Sequence, residues 1–272
     1  RRPPRSTQSR SSAASDVYKR QPADRPNEPP WLSALVRAEP KAPLMAPFMA
    51  YLLLMLLNDA FPTRLQPLAV ALHIALAGWV VFLFRHHYPP WGKTLPGPAL
   101  LVGIAAAILW VHGQYWLDGV SIGGHRLGDT LSFGWRPPFI HLEPQTILNP
   151  REIYGEGGLF YAHVVMKICR AVTVVPIVEE LFWRGFILRA FVNWDRFEQV
   201  PWGQFSWVAF LGSSLLSTVQ HPANWGVSIA CWMLYNLLFY KTRSLSCLML
   251  THAVTNFALY IYVVRAGDWR FW

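Results

Sequence analysis

Two adjacent glutamates lie inside an otherwise apolar stretch of this chain. Arg184 follows Glu180 by four residues, and the order Glu before Arg favours an ion pair on one helix face. Glu179 lies about 100° around the helix from Glu180, so it has no local partner. Ionisable residues inside apolar helices cost free energy to bury, so they are candidates for function. The alternative, a solvated salt bridge, would need a polar helix face at this place. We therefore interpret Glu179 as a general base, Glu180 as a second site carboxylate and Arg184 as its support.

Two further polar clusters follow along the chain. His221 ends a predicted helix before Pro222, where a neutral imidazole can orient water or bind a metal, or can be an ordinary interfacial histidine. His252 and Asn256 share one helix face, where they can form an oxyanion hole or hold helices together. Combined with Glu179, these residues suit amide hydrolysis: the glutamate takes a proton from water, and His252 with Asn256 stabilises the oxyanion.

Seven apolar segments must position these residues. Of the chain's 272 residues, 53% are hydrophobic and 14% charged, whereas soluble domains carry about a quarter charged residues. This composition predicts an all-α, multi-pass transmembrane bundle of seven spans, or eight if the fourth breaks at Pro176. The predicted segments are Pro43–Leu57, Leu65–Phe84, Ala99–Leu117, Leu159–Val192, Gln204–Val219, Trp225–Tyr240 and Leu245–Val264.

The basic residues between these segments favour a cytoplasmic N-terminus and an external C-terminus. In this linear arrangement Glu179 and His221 lie nearer opposite faces of the membrane. A working site therefore requires a kinked or re-entrant segment.

The N-terminal 42 residues differ in composition from the rest. Residues 1–21 hold six basic residues and one acid, and residues 16–21 resemble a translated sequencing adaptor. We expect 1–21 to be non-native, 1–42 to be a disordered basic and Pro-rich tail with one turn near Trp31–Val36, and 43–272 to be the transmembrane domain. We predict no nucleic-acid partner, because nothing structured presents those charges. Three scattered cysteines exclude a disulfide scaffold.

Residues 171–260 resemble the CAAX prenyl endopeptidases and bacteriocin-processing enzymes, the CPBP or Abi family of intramembrane proteases. The family pattern is EExxxR, then FxxxH, then HxxxN. The matching residues are Glu179, Glu180, Arg184, His221, His252 and Asn256, and Ser217 stands where the second motif has Phe. The N-terminal half and the 118–158 loop resemble the subgroup associated with bacterial exosortase systems.

The resemblance implies an intramembrane endopeptidase of the bacterial inner membrane. Its catalytic roles would fall on Glu179, Glu180, His221, His252 and Asn256, with Arg184 in support. The resemblance leaves open whether glutamate alone activates water or a divalent metal such as zinc does so, held by Glu179, His221 and His252. The implied partners are membrane lipids and a peptide or membrane-anchored protein substrate, prenylated or not.

Two other classes remain open. A catalytically silent scaffold or immunity protein on the same fold would be free to lose any of the motif residues. A proton-coupled transporter would use the glutamates and histidines as a relay, but it predicts paired half-repeats, and none is visible.

Overall fold

The protein is mainly helical over the residues that its computed structural model describes, 28–58, 60–127 and 149–272. The strands in these ranges are β1 (Ser121–Ile122) and β2 (His125–Arg126), which pair antiparallel as one small hairpin. The all-α prediction is therefore confirmed. The suspected non-native residues 1–21 and the central part of the predicted 118–158 loop lie outside the described residues.

Every predicted apolar segment contains helix. Within the described ranges the α-helices are α1 (Pro30–Ala38), α2 (Ala42–Asn58), α3 (Gln66–Leu83), α4 (Pro96–Gly119), α5 (Pro150–Tyr154), α6 (Gly158–Val172), α7 (Val174–Glu180), α8 (Leu188–Ala190), α9 (Trp207–Gln220), α10 (Trp225–Thr242) and α11 (Leu245–Ala266). A π-helical segment, Leu181–Ile187, joins α7 to α8.

The described chain divides into two units at the boundary between Pro40 and Lys41. In the first unit, α1 replaces the irregular linker expected there, and the predicted turn near Trp31–Val36 lies within this nine-residue helix. Pro30 is at its first position, where the missing N–H costs nothing because that group has no helical partner anyway. The second unit contains all of the predicted site residues.

The prediction of seven to eight spans exceeds the number that helix length and apolarity support among the described residues. Among the described residues, four helical stretches are long and apolar enough to cross a membrane: Thr63–Leu83, Pro96–Gly119, Gly158–Ala190 and Leu245–Ala266. A fifth is added if α1 and α2 count as one broken span. Helix α9 has 14 residues and is about 21 Å long, well short of the ~30 Å hydrocarbon layer.

Close helix contacts fix the elements that carry the polar residues. Helices α4 and α11 meet at Gly103, where an added Cβ would lie 2.8 Å from the carbonyl oxygen of Thr251. The Thr255 hydroxyl of α11 donates to the Gly103 carbonyl at 3.0 Å. Helices α9 and α10 are joined by a buried hydrogen bond from Ser228 Oγ to Ser217 Oγ at 2.8 Å. Glycine and small polar residues thus let the backbones approach closely, as at membrane helix interfaces.

Candidate active site

The glutamates lie just after a break in the fourth apolar segment. Helix α6 ends at Val172, and α7 begins after Thr173. Pro176 supplies the reason, since its ring clashes with the carbonyl four residues earlier and it has no N–H to offer. The break that the sequence placed at Pro176 therefore occurs at Thr173, about one turn earlier. Glu179 and Glu180 then end α7 at the start of the π-helical segment, a distortion that often marks functional sites.

Glu180 and Arg184 form the predicted pair, and both are fully buried. Arg184 Nη1 lies 3.1 Å from Glu180 Oε2. Arg184 Nε donates to Asn236 Oδ1 at 3.1 Å, and the Asn236 amide donates in turn to Ser213 Oγ at 2.9 Å. A buried charge is tolerated when it is paired and hydrogen-bonded, and these contacts supply most of that need, although Arg184 Nη2 and Glu180 Oε2 make no hydrogen bond within the described part of the chain. The pair therefore holds α7, α9 and α10 together.

The His252 imidazole lies between the two glutamates. Its Nδ1 is 2.9 Å from Glu180 Oε1, and its Nε2 is 4.0 Å from Glu179 Oε2. A carboxylate oxygen accepts hydrogen bonds, so we assign the donor of the first contact to His252 Nδ1–H. The remaining nitrogen, Nε2, faces Glu179. It can donate to a substrate oxyanion when the ring carries a hydrogen on both nitrogens.

Glu179 has a partner that sequence reasoning missed. Gln220 Nε2 donates to Glu179 Oε1 at 3.0 Å, and Trp183 Nε1 donates to Gln220 Oε1 at 2.6 Å. Gln220 is the last residue of α9. The sequence did contain a signal for this contact: Gln220 is a polar residue directly before His221, at the end of an apolar helix.

His221 follows Gln220 as the C-cap of α9. Its ring makes edge contacts with Trp110 and Trp232, with centroid distances of 5.1 and 5.6 Å. Ser217, the departure from the family pattern, is buried and donates to the Ser214 carbonyl at 2.6 Å. It therefore contributes a helix contact where the family pattern has an aromatic ring.

Asn256 lies near the helix break. Its side-chain amide donates to the Ala171 carbonyl at 2.8 Å, in the last turn of α6. A carboxamide nitrogen carries two hydrogens, so one N–H remains for a substrate. Asn256 thus ties α11 to the end of α6 while it lines the space around Glu179.

One cavity of about 280 Å³ collects most of the predicted residues. Its polar lining includes Glu179, Gln220, His221, His252, Asn256, Tyr51, Arg170, Tyr235 and Arg270. Glu180 and Arg184 are absent from the lining and lie behind His252. The structure therefore brings four of the predicted residues to one space and leaves the other two as their support.

The rim of the cavity carries a neutralised arginine. Arg270 Nη1 lies 3.1 Å from Asp118 Oδ2, and its Nε lies 3.0 Å from Asp268 Oδ1. Burial acts to raise the pKa of Asp268, but hydrogen bonds from Arg270 and Tyr115 outweigh it and lower that pKa. Two carboxylates thus compensate the guanidinium at this end of the cavity.

The predicted zinc ligands do not form a metal site. Among the described residues, no three His, Cys, Asp or Glu side chains come together in a way that could hold a metal ion. Glu179, His221 and His252 line one cavity, with His252 Nδ1 held by Glu180 and Glu179 Oε1 by Gln220. Their side chains are not gathered closely enough there to act together as ligands.

Comparison with known proteins identifies the segment that contains this site. Residues 161–258 match a protein-family model described as Rce1-like, type II CAAX prenyl endopeptidase Rce1-like. No curated protein and no solved structure matches the chain. The matched segment includes both glutamates, His221 and the His252–Asn256 pair. The chain is therefore a membrane protein whose residues 161–258 are similar to the Rce1-like family of CAAX-type proteases.

Proposed function

We propose that this protein is an active intramembrane endopeptidase that hydrolyses a peptide bond with a glutamate-activated water. The observation that carries the proposal is the convergence of Glu179, His221, His252 and Asn256 on one cavity among apolar helices. A general base, an imidazole and two candidate oxyanion donors are the groups that amide hydrolysis needs.

In the proposed reaction Glu179 takes a proton from a water oriented by His221. The water oxygen forms a bond to the peptide carbonyl carbon, and the carbonyl π electrons move to its oxygen. His252 Nε2–H and Asn256 Nδ2–H donate to this oxyanion. When the intermediate collapses the C–N bond breaks, and Glu179 returns its proton to the leaving amine. Glu180 acts indirectly, by holding His252 Nδ1.

The surroundings of the cavity bear on the substrate and location. The helices around it include three of the stretches that are apolar enough to span a membrane, so a substrate can reach it from the lipid phase. We infer a peptide or membrane-anchored protein substrate, with or without a prenyl group, and we place the enzyme in the bacterial inner membrane.

The test is cleavage of fluorogenic peptides, with and without a prenyl group, by the purified protein in detergent. Glu179→Gln is expected to abolish cleavage while it leaves membrane accumulation unchanged, because it removes the base but keeps the volume. The matched control is Glu152→Gln, since Glu152 is exposed on α5 and lies outside the cavity lining. Full cleavage by Glu179→Gln would remove the base from the mechanism. No cleavage by the unmodified protein on any peptide would favour the silent scaffold.

A further inference from the structure

Gln220 connects Trp183 to Glu179 through two short hydrogen bonds, 2.6 Å from the indole and 3.0 Å to the carboxylate. Trp183 and Glu179 lie four residues apart on the stretch formed by α7 and the π-helical segment. Gln220 reaches them from α9, 41 positions from Glu179 along the chain. The contact is therefore long-range, and it joins the helix of the glutamates to the end of the helix that precedes His221.

The indole fixes which end of the Gln220 carboxamide faces Glu179. A tryptophan N–H is a donor only, so the atom 2.6 Å from it must be the carboxamide oxygen. The NH2 group must then point at Glu179, where it donates to Oε1. The buried Trp183 ring also packs edge-on against Trp232, with centroids 5.9 Å apart, which holds the indole in place.

The two carboxylate oxygens of Glu179 consequently have different surroundings. Oε1 accepts from Gln220, whereas Oε2 faces His252 Nε2 at 4.0 Å, beyond hydrogen-bond distance. A donor to a carboxylate favours its ionised form, the form that a general base needs before it takes a proton. The same donor fixes the rotation of the carboxylate, which matters because misplacement by about 1 Å can cost 100-fold in rate.

We propose that Gln220, held by Trp183, is a positioning residue that binds Glu179 Oε1 and leaves Oε2 to take the proton from water. This inference rests on the proposed endopeptidase function. Gln220 contacts the base and not the reacting bond, so its loss changes the rate of the chemical step and the pH dependence more than substrate affinity.

The test uses the full chain in detergent and follows kcat and KM across the pH range. Gln220→Met keeps the length of the side chain but removes the donor. We expect kcat to fall roughly 10- to 100-fold with KM nearly unchanged, as for the loss of a hydrogen bond to a charged group. The acidic limb of kcat/KM is expected to move to higher pH, because the ionised carboxylate loses its donor.

Trp183→Phe is the second variant, and it keeps the ring while it removes the N–H. It should shift the acidic limb in the same direction by a smaller amount, and the double variant should be scarcely slower than Gln220→Met. The matched control is Gln114→Met, since Gln114 donates to the Asp118 carboxylate at 2.8 Å and lies outside the cavity lining. This control is expected to keep the wild-type pH profile.

The outcomes separate this inference from the proposed function. If the wild type cleaves, Glu179→Gln does not, and Gln220→Met keeps the wild-type kcat and pH profile, then Gln220 is no positioning residue and the endopeptidase assignment stands. An equal loss at every pH with a raised KM would also overturn the inference, because it would indicate general distortion. If Gln220→Met does not fold, Trp183→Phe decides by the same criteria. No cleavage by the wild type overturns both proposals.

Discussion

Arg184→Ala should destabilise the protein far more than its single charge suggests. The guanidinium lies 3.1 Å from Glu180 Oε2 and 3.1 Å from Asn236 Oδ1, and the two charged side chains are about 1% and 0% exposed. Removal leaves Glu180 as a buried carboxylate that has lost its ion-pair partner and keeps the contact with His252 Nδ1, and breaking a buried pair costs about 3–5 kcal/mol. Domains are stable by about 5–15 kcal/mol, so this is a large share. At about 2–4 °C per kcal/mol for a chain of this size, we expect the midpoint of thermal unfolding to fall by roughly 6–20 °C.

The assay is thermal unfolding in detergent, with membrane accumulation measured in parallel. Arg151→Ala is the matched control, because the Arg151–Glu156 pair has a similar 3.0 Å separation but is exposed, and such pairs contribute about 0–1 kcal/mol. A Glu180→Gln/Arg184→Met double variant should recover much of the loss, since no charge is then left unpaired. Wild-type unfolding of Arg184→Ala, or a double variant as unstable as the single one, would refute the reasoning.

Two further predictions concern α11 and its contact with α4. Asn256→Ala is expected to lower turnover ~100- to 1000-fold with little change in affinity, and the His252→Ala/Asn256→Ala double variant should be scarcely worse than His252→Ala, because both donors serve one oxyanion. Steady-state cleavage measures this, and full activity in Asn256→Ala would exclude the donor. Gly103→Ala should destabilise the protein by about 1–3 kcal/mol, because its Cβ would lie 2.8 Å from the backbone of Thr251. Gly97→Ala, with open space around it, is the control for thermal unfolding, and equal midpoints would contradict the close contact.

The parts of the site that sequence predicted are those set by local helix geometry. Glu180 and Arg184 are four residues apart, and their pairing follows from the helical repeat even though a π-helical segment begins between them. His252 and Asn256 share a face for the same reason, and both line the cavity. The role of Gln220 was not predictable in this way, because it depends on how α9 packs against α7. A spacing rule within one helix carries no information about that contact.

The difference between the predicted spans and the helices long enough to span, and the assembly of the site, have one physical cause. A helix that crosses the membrane carries the residues at its two ends to opposite faces, and this separated Glu179 from His221 in the linear topology. Helix α9 is about 21 Å long, so its end cannot lie a full bilayer thickness from its start. The chain turns at His221 beside Trp110 and Trp232, and Gln220 reaches Glu179. A segment too short to span the membrane is therefore the feature that brings the second motif to the glutamates.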